Sequence, residues 1–238
     1  MTGDTRLGII VPSVNTVVEP WYARVVPHGV SIHVARMLMA DATTPDEIIA
    51  MDRADGMRAI RQIASCRPQA IGYGCTASSI VQGHAYDAQL RAEMRRVAAI
   101  PATTATDSIF AACRRLGLKR VSAVSPYTDA VAEAEHRFFA EGGLDIVAGA
   151  NLGIADGFAL AAPGPEEILD LALGAWDPAA DGIVIACLNF RSHPVIDALE
   201  ARIGKPVVTS TQAMLWHLLR LAGIATPIAG FGRLLRDP

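Results

Sequence analysis

Long hydrophobic runs are missing from this chain. Although 51% of its 238 residues are hydrophobic, nowhere do the roughly 18 consecutive apolar residues of a membrane span occur. Basic runs are missing as well. Lysine and arginine number 21 against 24 aspartates and glutamates, a formal net charge of −3, so neither nucleic acid nor an anionic membrane is expected as a partner. Cysteine is scarce. Cys66, Cys75, Cys113 and Cys187 are the only four, none is paired as C-x-x-C, and the six histidines show no ligand spacing, which argues against a structural zinc site. Neither G-x-G-x-x-G nor G-x-x-x-x-G-K-[ST] is present, so nothing favours a dinucleotide or a phosphate loop. No low-complexity linker divides the chain, and no charged leader with an apolar stretch behind it opens at Met1–Gly3. The expectation is a cytoplasmic protein without a structural zinc site that keeps its thiols reduced.

What is present alternates. Strand-like runs at 7–11, 30–37, 70–73, 121–124, 145–148, 182–186 and 207–209 are separated by helical patterns at 45–66, 86–98, 106–116, 130–141, 166–175, 193–203 and 212–222. That order predicts an α/β fold with a mostly parallel sheet and covering helices. The chain also echoes itself. Arg6–Ser13 resembles Arg120–Tyr127, Cys75 stands to Cys187 at nearly the same offset, and Pro101–Thr106 resembles Pro206–Thr211. A period this long predicts two pseudo-symmetric lobes rather than a solenoid. Each lobe is a mostly parallel sheet flanked by helices, and the active site lies in the cleft between them. Residues 1–100 are expected to form the N-terminal lobe, completed by 208–238, and residues 101–207 the C-terminal lobe.

The two echoing cysteines, Cys75 and Cys187, each end an apolar β-branched run and precede small or polar residues. In a parallel sheet that is the carboxyl end of a strand, where ligands bind. Two thiols at matched addresses predict acid/base chemistry on a shared substrate. A thiol titrates near ~8.5, and a helix start after Cys75 would lower that value. The N–H groups around Thr76, Ala77 and Ser78 would equally cradle a carboxylate. Asn15 and Tyr127, in matched turns after strands, are candidate hydrogen-bonders to a carboxylate, and Arg191 is a candidate clamp or a solvated loop residue. His84 and His193 could serve a cysteine hydrolase. Cys66 and Cys113 read as ordinary residues of helices.

Val11-Pro12-Ser13-Val14-Asn15-Thr16-Val17-Val18-Glu19-Pro20, Gly74-Cys75-Thr76-Ala77-Ser78, Tyr127, Cys187 and Gly204-Lys205-Pro206-Val207-Val208 resemble the aspartate/glutamate racemase superfamily. Within it they are similar to the maleate cis-trans isomerase and arylmalonate decarboxylase branch. The resemblance implies a cofactor-independent enzyme, a homodimer or larger, acting on a small carboxylate or dicarboxylate. By it, Cys75 is the nucleophile or first acid/base and Cys187 the second. Ser13, Asn15, Tyr127 and the backbone at Thr76, Ala77, Ser78 and Leu188 would hold carboxylates. Maleate to fumarate through a Cys75 adduct is the most concrete reaction it implies. An amino-acid or hydroxy-acid racemase, an arylmalonate-type decarboxylase and a non-catalytic carboxylate-binding protein are the alternatives. The decarboxylases carry glycine at the first thiol position, so Cys75 counts against that reaction. Two departures stand out: Gly157 falls where the isomerases use asparagine, and Leu188-Asn189-Phe190-Arg191 differs from them.

Overall fold

A computed structural model describes residues 4–40 and 42–237; the reading at Met1–Gly3 falls outside them. The first half of the chain runs β1 (Thr5–Pro12), α1 (Val18–Val25), β2 (Val30–Met37), α2 (Pro45–Met51), α3 (Met57–Ser65), β3 (Ala70–Tyr73), α4 (Thr76–Ala98) and β4 (Ala102–Thr104). The second half runs α5 (Ala105–Leu116), β5 (Arg120–Ser125), α6 (Asp129–Glu141), β6 (Asp145–Asn151), α7 (Pro165–Gly174), β7 (Gly182–Ile185), α8 (Ile196–Ile203), β8 (Val207–Thr209), α9 (Ser210–Leu221) and α10 (Gly232–Arg236).

The strands form two four-stranded sheets, ordered β2-β1-β3-β4 and β6-β5-β7-β8, and every pairing between them is parallel. The second order is the first advanced by four strands. Each sequence echo therefore joins equivalent elements: β1 with β5, the end of β3 with the end of β7, and β4 with β8. The central strands are buried along almost their whole length, from Leu7 to Val11 in β1 and from Gly182 to Ile185 in β7. That suits apolar runs covered on both faces.

The second lobe lends a helix to the first. α9 leaves β8 and packs on β3 and β4 of the first sheet, so tightly that a β-carbon at Gly72 would collide with Met214 and Leu218. The Tyr22 hydroxyl in α1 also donates to the Thr211 carbonyl at 2.7 Å. The expected division at residue 100 needs correction, because β4 pairs with β3 (Ile71 with Ala102, Tyr73 with Thr104) and so stays in the first sheet. Three residues offer too little alternation to announce β4 as a strand.

Other differences have local causes. The helical pattern at 45–66 is split by a π-helical turn at Asp52–Gly56 between α2 and α3, and such turns frequently sit at functional sites. α4 starts ten residues before the expected Tyr86, with Gly83 at φ 85° kinking it. Its first turn holds Thr76, Ser78 and Ser79, all buried and all bonded through their hydroxyls to other buried polar groups. Residues of that type mask a helix in the sequence.

Candidate active site

β1 and β3 of the first lobe and β5 and β7 of the second all end at one cavity of about 40 Å³. Since about 10–15 Å³ on this measure admits one water, the space suits a few waters or a small organic acid. Cys75 and Cys187 both line it, one from each lobe, together with Asn15, Thr76, Ala77, Tyr127 and Leu188. Ser13 and Ser78 do not. The Ser13 hydroxyl accepts from the Met39 N–H at 3.1 Å and anchors the turn after β2. Ser78 is fully buried and donates to the Asp52 carboxylate at 2.9 Å.

The junctions that carry the thiols are built by close backbone approach. Gly74 donates its N–H to the Ile10 carbonyl at 2.6 Å, and a β-carbon at Gly74 would stand 2.8 Å from that same oxygen. Glycine is therefore required there. In the second lobe Ala186 makes the equivalent bond to Val124 at 2.8 Å. The next residue, Cys187, adopts φ 80°, a left-handed conformation that non-glycine residues rarely take and that marks strain at functional sites.

Both sulfurs are held protonated. Burial pushes each thiol up to about 12, with the charge of Asp52 adding to the effect at Cys75. The lowering expected from a helix start is present but outweighed. The Ser78 hydroxyl and the Ser78 and Ala77 N–H groups lie near enough to the Cys75 sulfur to favour its thiolate, as the Asn189 N–H and Tyr127 hydroxyl do at Cys187. The two sulfurs are near enough that charge on Cys75 raises Cys187 further.

Asn15 is 3% exposed, and its Oδ1 accepts the Val17 and Val18 N–H groups at 3.1 and 3.0 Å. With the oxygen committed to starting α1, the amide has only its NH₂ donor left for the cavity, which is the group a carboxylate needs. Among the described residues, no lysine, arginine or histidine lines the cavity. Opposite the polar groups stand apolar side chains, Val14, Met39, Ile48, Val131 and Leu160.

The segment 152–164 bridges the lobes over this space. Gly153 and Ile154 donate to the Tyr127 and Pro126 carbonyls, Thr43 donates to the Ala155 carbonyl, and Ala42 pairs with Asp156. Asn189 fastens the bridge, accepting from the Thr16 N–H at 2.9 Å and donating to the Gly157 carbonyl at 2.9 Å. A β-carbon at Gly157 would lie 3.3 Å from Val14 and 3.5 Å from Thr43, both cavity walls. Glycine at 157 thus lets this segment pack closely against two cavity-lining residues.

Arg191 is exposed beside Arg24 and His193, outside the cavity. His84 donates to the Phe138 carbonyl at 2.8 Å and His193 stacks on Trp21, so neither reaches a thiol. Cys113 is buried within α5, and Cys66 is exposed at the end of α3. Three contributors escaped the sequence reading: Asn189, Thr43 and Asp52. Asp52 carried a usable signal, a carboxylate on the stripe that Ile48, Met51 and Ile60 bury.

The likeness to known proteins follows this geometry along the full chain. An arylmalonate decarboxylase from Bordetella bronchiseptica is 30% identical over 97% of this chain and 96% of its own. A maleate isomerase from Pseudomonas putida is 27% identical over 99% and 98%. Among solved structures, a Cys-to-Ser mutant of Nocardia farcinica maleate cis-trans isomerase with a covalently bound succinylcysteine intermediate superposes with a TM-score of 0.92. It is 25% identical and covers 98% of this chain and 99% of that one. The arylmalonate decarboxylase profile matches residues 7–235, both sheets and both thiol-bearing strand ends included: the chain belongs to the arylmalonate decarboxylase family.

Proposed function

We propose that this chain is a two-cysteine isomerase of a small carboxylate, and most concretely a maleate cis-trans isomerase. The observation that carries the reading is the delivery of Cys75 and Cys187 from separate lobes into one small cavity. The succinylcysteine held by the Nocardia isomerase, a structural neighbour over nearly the whole chain, supports it.

Cys75 gives up its proton and its sulfur adds to one alkene carbon of maleate. The Cys187 thiol, held as an acid by its burial, delivers a proton to the neighbouring carbon. The former double bond is then single and rotates. Removal of a proton by the Cys187 thiolate and departure of the Cys75 sulfur leave fumarate. The Cys75 thiolate takes back the proton it gave up, so both cysteines end as they began. Charge is held by neutral donors: the Asn15 NH₂, the Tyr127 hydroxyl, and the N–H groups around Thr76, Ala77, Ser78 and Leu188. In a small cavity walled by buried residues such donors are worth far more than in solution. The arrangement asks for no cofactor, and a cytoplasmic setting suits thiols that must stay reduced. A homodimer or larger assembly belongs to the same reading, and light scattering measures it.

A second reading is favoured by the apolar wall of the cavity. A carboxylate with one apolar substituent would fit there, to be racemised as one thiol removes the α-proton and the other returns it. Proton NMR in deuterium oxide separates the readings. Maleate converting to fumarate is the expected result. Deuterium entering the α-carbon of an amino or hydroxy acid with maleate untouched supports racemisation. Loss of carbon dioxide from phenylmalonate reports decarboxylation. A ligand that raises the melting temperature yet returns unchanged marks a binding protein.

A further inference from the structure

Both thiols have a buried carboxyl group behind them, and the two carboxyls differ in their surroundings. Glu135 in α6 is fully buried. Neither of its oxygens has a hydrogen-bond partner, the Ser125 hydroxyl approaching without reaching ordinary geometry. A carboxyl so placed stays neutral. Asp52, on the π-helical turn, is 8% exposed but lies among donors. The Tyr73 hydroxyl donates to its Oδ1 at 2.5 Å, the Ser78 hydroxyl to the same oxygen at 2.9 Å, and the Gln82 amide to Oδ2 at 2.7 Å. The Tyr86 hydroxyl also reaches it. Burial, the larger effect, raises the affinity of Asp52 for a proton, while these donors favour its charged form. Carboxyls pushed apart in this way commonly divide acid and base roles.

Ser78 is the shared partner. Its hydroxyl donates to Asp52 at 2.9 Å, and Ser78 stands one helical turn after Cys75, near enough for its hydroxyl oxygen to favour loss of the thiol proton. Beyond Asp52 lies a second cavity of about 350 Å³, walled by Tyr73, Gln82 and Tyr86 and open to solvent at its rim. We propose that Asp52, acting through Ser78, receives the proton that Cys75 gives up, and that this second cavity connects the pair to solvent.

The step balances without a co-reactant. The Cys75 S–H bond breaks and its proton passes to the Ser78 oxygen, while the Ser78 proton passes to Asp52 Oδ1. The sulfur keeps the electron pair, and the carboxylate becomes a carboxylic acid. The transfer assists itself, because it discharges the carboxylate whose charge opposes ionisation of Cys75. Asp52 touches no substrate and is a positioning residue for the proton. The titratable groups facing it are Tyr73 and Cys75 from β3 and its end and Tyr86 from α4, with Arg53 and Glu93 on the outer cavity's rim. The role deepens the two-thiol reading above and rests on it, but its test needs no substrate.

Alkylation of Cys75 by iodoacetamide, followed by mass spectrometry of its peptide from pH 5 to 9, reads the thiol directly. The wild-type rate should rise as Asp52 ionises and then level off within this range. In Asp52→Asn the levelling should vanish, leaving a rate that climbs about tenfold per pH unit, as for a thiol titrating alone. Ser78→Ala should lose it too, whereas Glu135→Gln should keep it. A wild-type rate climbing tenfold per unit throughout would overturn the proposal, whether or not the variants fold. A plateau that survives in Asp52→Asn or Ser78→Ala would do the same. Absence of maleate turnover with the plateau intact would instead count against the isomerase reading alone.

Discussion

Cys187 is held at φ 80°, and the cost of that geometry can be measured by comparing two substitutions. Cys187→Ala removes one buried sulfur, a transfer loss of about 1 kcal/mol, and leaves the strained backbone with its β-carbon. Cys187→Gly also removes the β-carbon, about 0.8 kcal/mol more, and frees the unfolded chain by about 0.5–1 kcal/mol. At an unstrained position glycine would therefore trail alanine by roughly 1.3–1.8 kcal/mol. Release of a left-handed non-glycine conformation returns about 1–3 kcal/mol. The two terms nearly cancel, so the glycine variant should match or exceed the alanine variant in stability. Urea denaturation of both, with unchanged slopes, measures the difference. A glycine variant less stable than alanine by about 1.5 kcal/mol or more would show that no strain is held at the second thiol. It would also remove the argument that the backbone is bent to aim that thiol into the cavity.

Two further outcomes follow from neighbouring groups. Asn15→Asp preserves the oxygen that accepts the Val17 and Val18 N–H groups while replacing the cavity-facing NH₂ with a second acceptor. Steady-state kinetics should show KM raised about 10- to 100-fold, the range of a lost charged hydrogen bond, with the melting temperature little changed. Glu135→Leu tests the bare carboxyl. Because burial holds its folded pKa well above the ordinary glutamate value, the native state keeps a proton that the unfolded chain releases. That stability is full below the unfolded pKa and is lost as pH rises toward the folded one. Thermal melts should show the leucine variant gaining most at pH 8 and least at pH 4, and an equal gain at both would contradict the assignment.

Much of this architecture was legible because pattern and period coincided. The apolar runs at 7–11, 70–73 and 182–186 could only be buried parallel strands, and the echo between the halves placed Cys75 and Cys187 at equivalent ends. β4 escaped because three residues carry no periodicity. The helix start after Cys75 was legible, but the continuation to Tyr86 was not, because Thr76, Ser78 and Ser79 are poor helix formers until their hydroxyls bond buried polar groups and Gly83 kinks the helix. Side-chain direction was the larger gap. Ser13 and Ser78 sit beside cavity-lining residues in sequence, yet their hydroxyls turn toward Met39 and Asp52. The thiol pKa was misjudged for a related reason: sequence showed the helix start but not the depth of burial that overrides it.

The central claim is that Cys75 is the nucleophile and Cys187 the proton donor. Cys187→Ser incubated with maleate and digested for mass spectrometry tests it most directly. The account predicts a Cys75 peptide heavier by one maleic acid, and the same treatment of Cys75→Ser should leave every cysteine unmodified. An adduct on Cys187 in the Cys75 variant, or unmodified Cys75 in a folded Cys187→Ser protein, would contradict it.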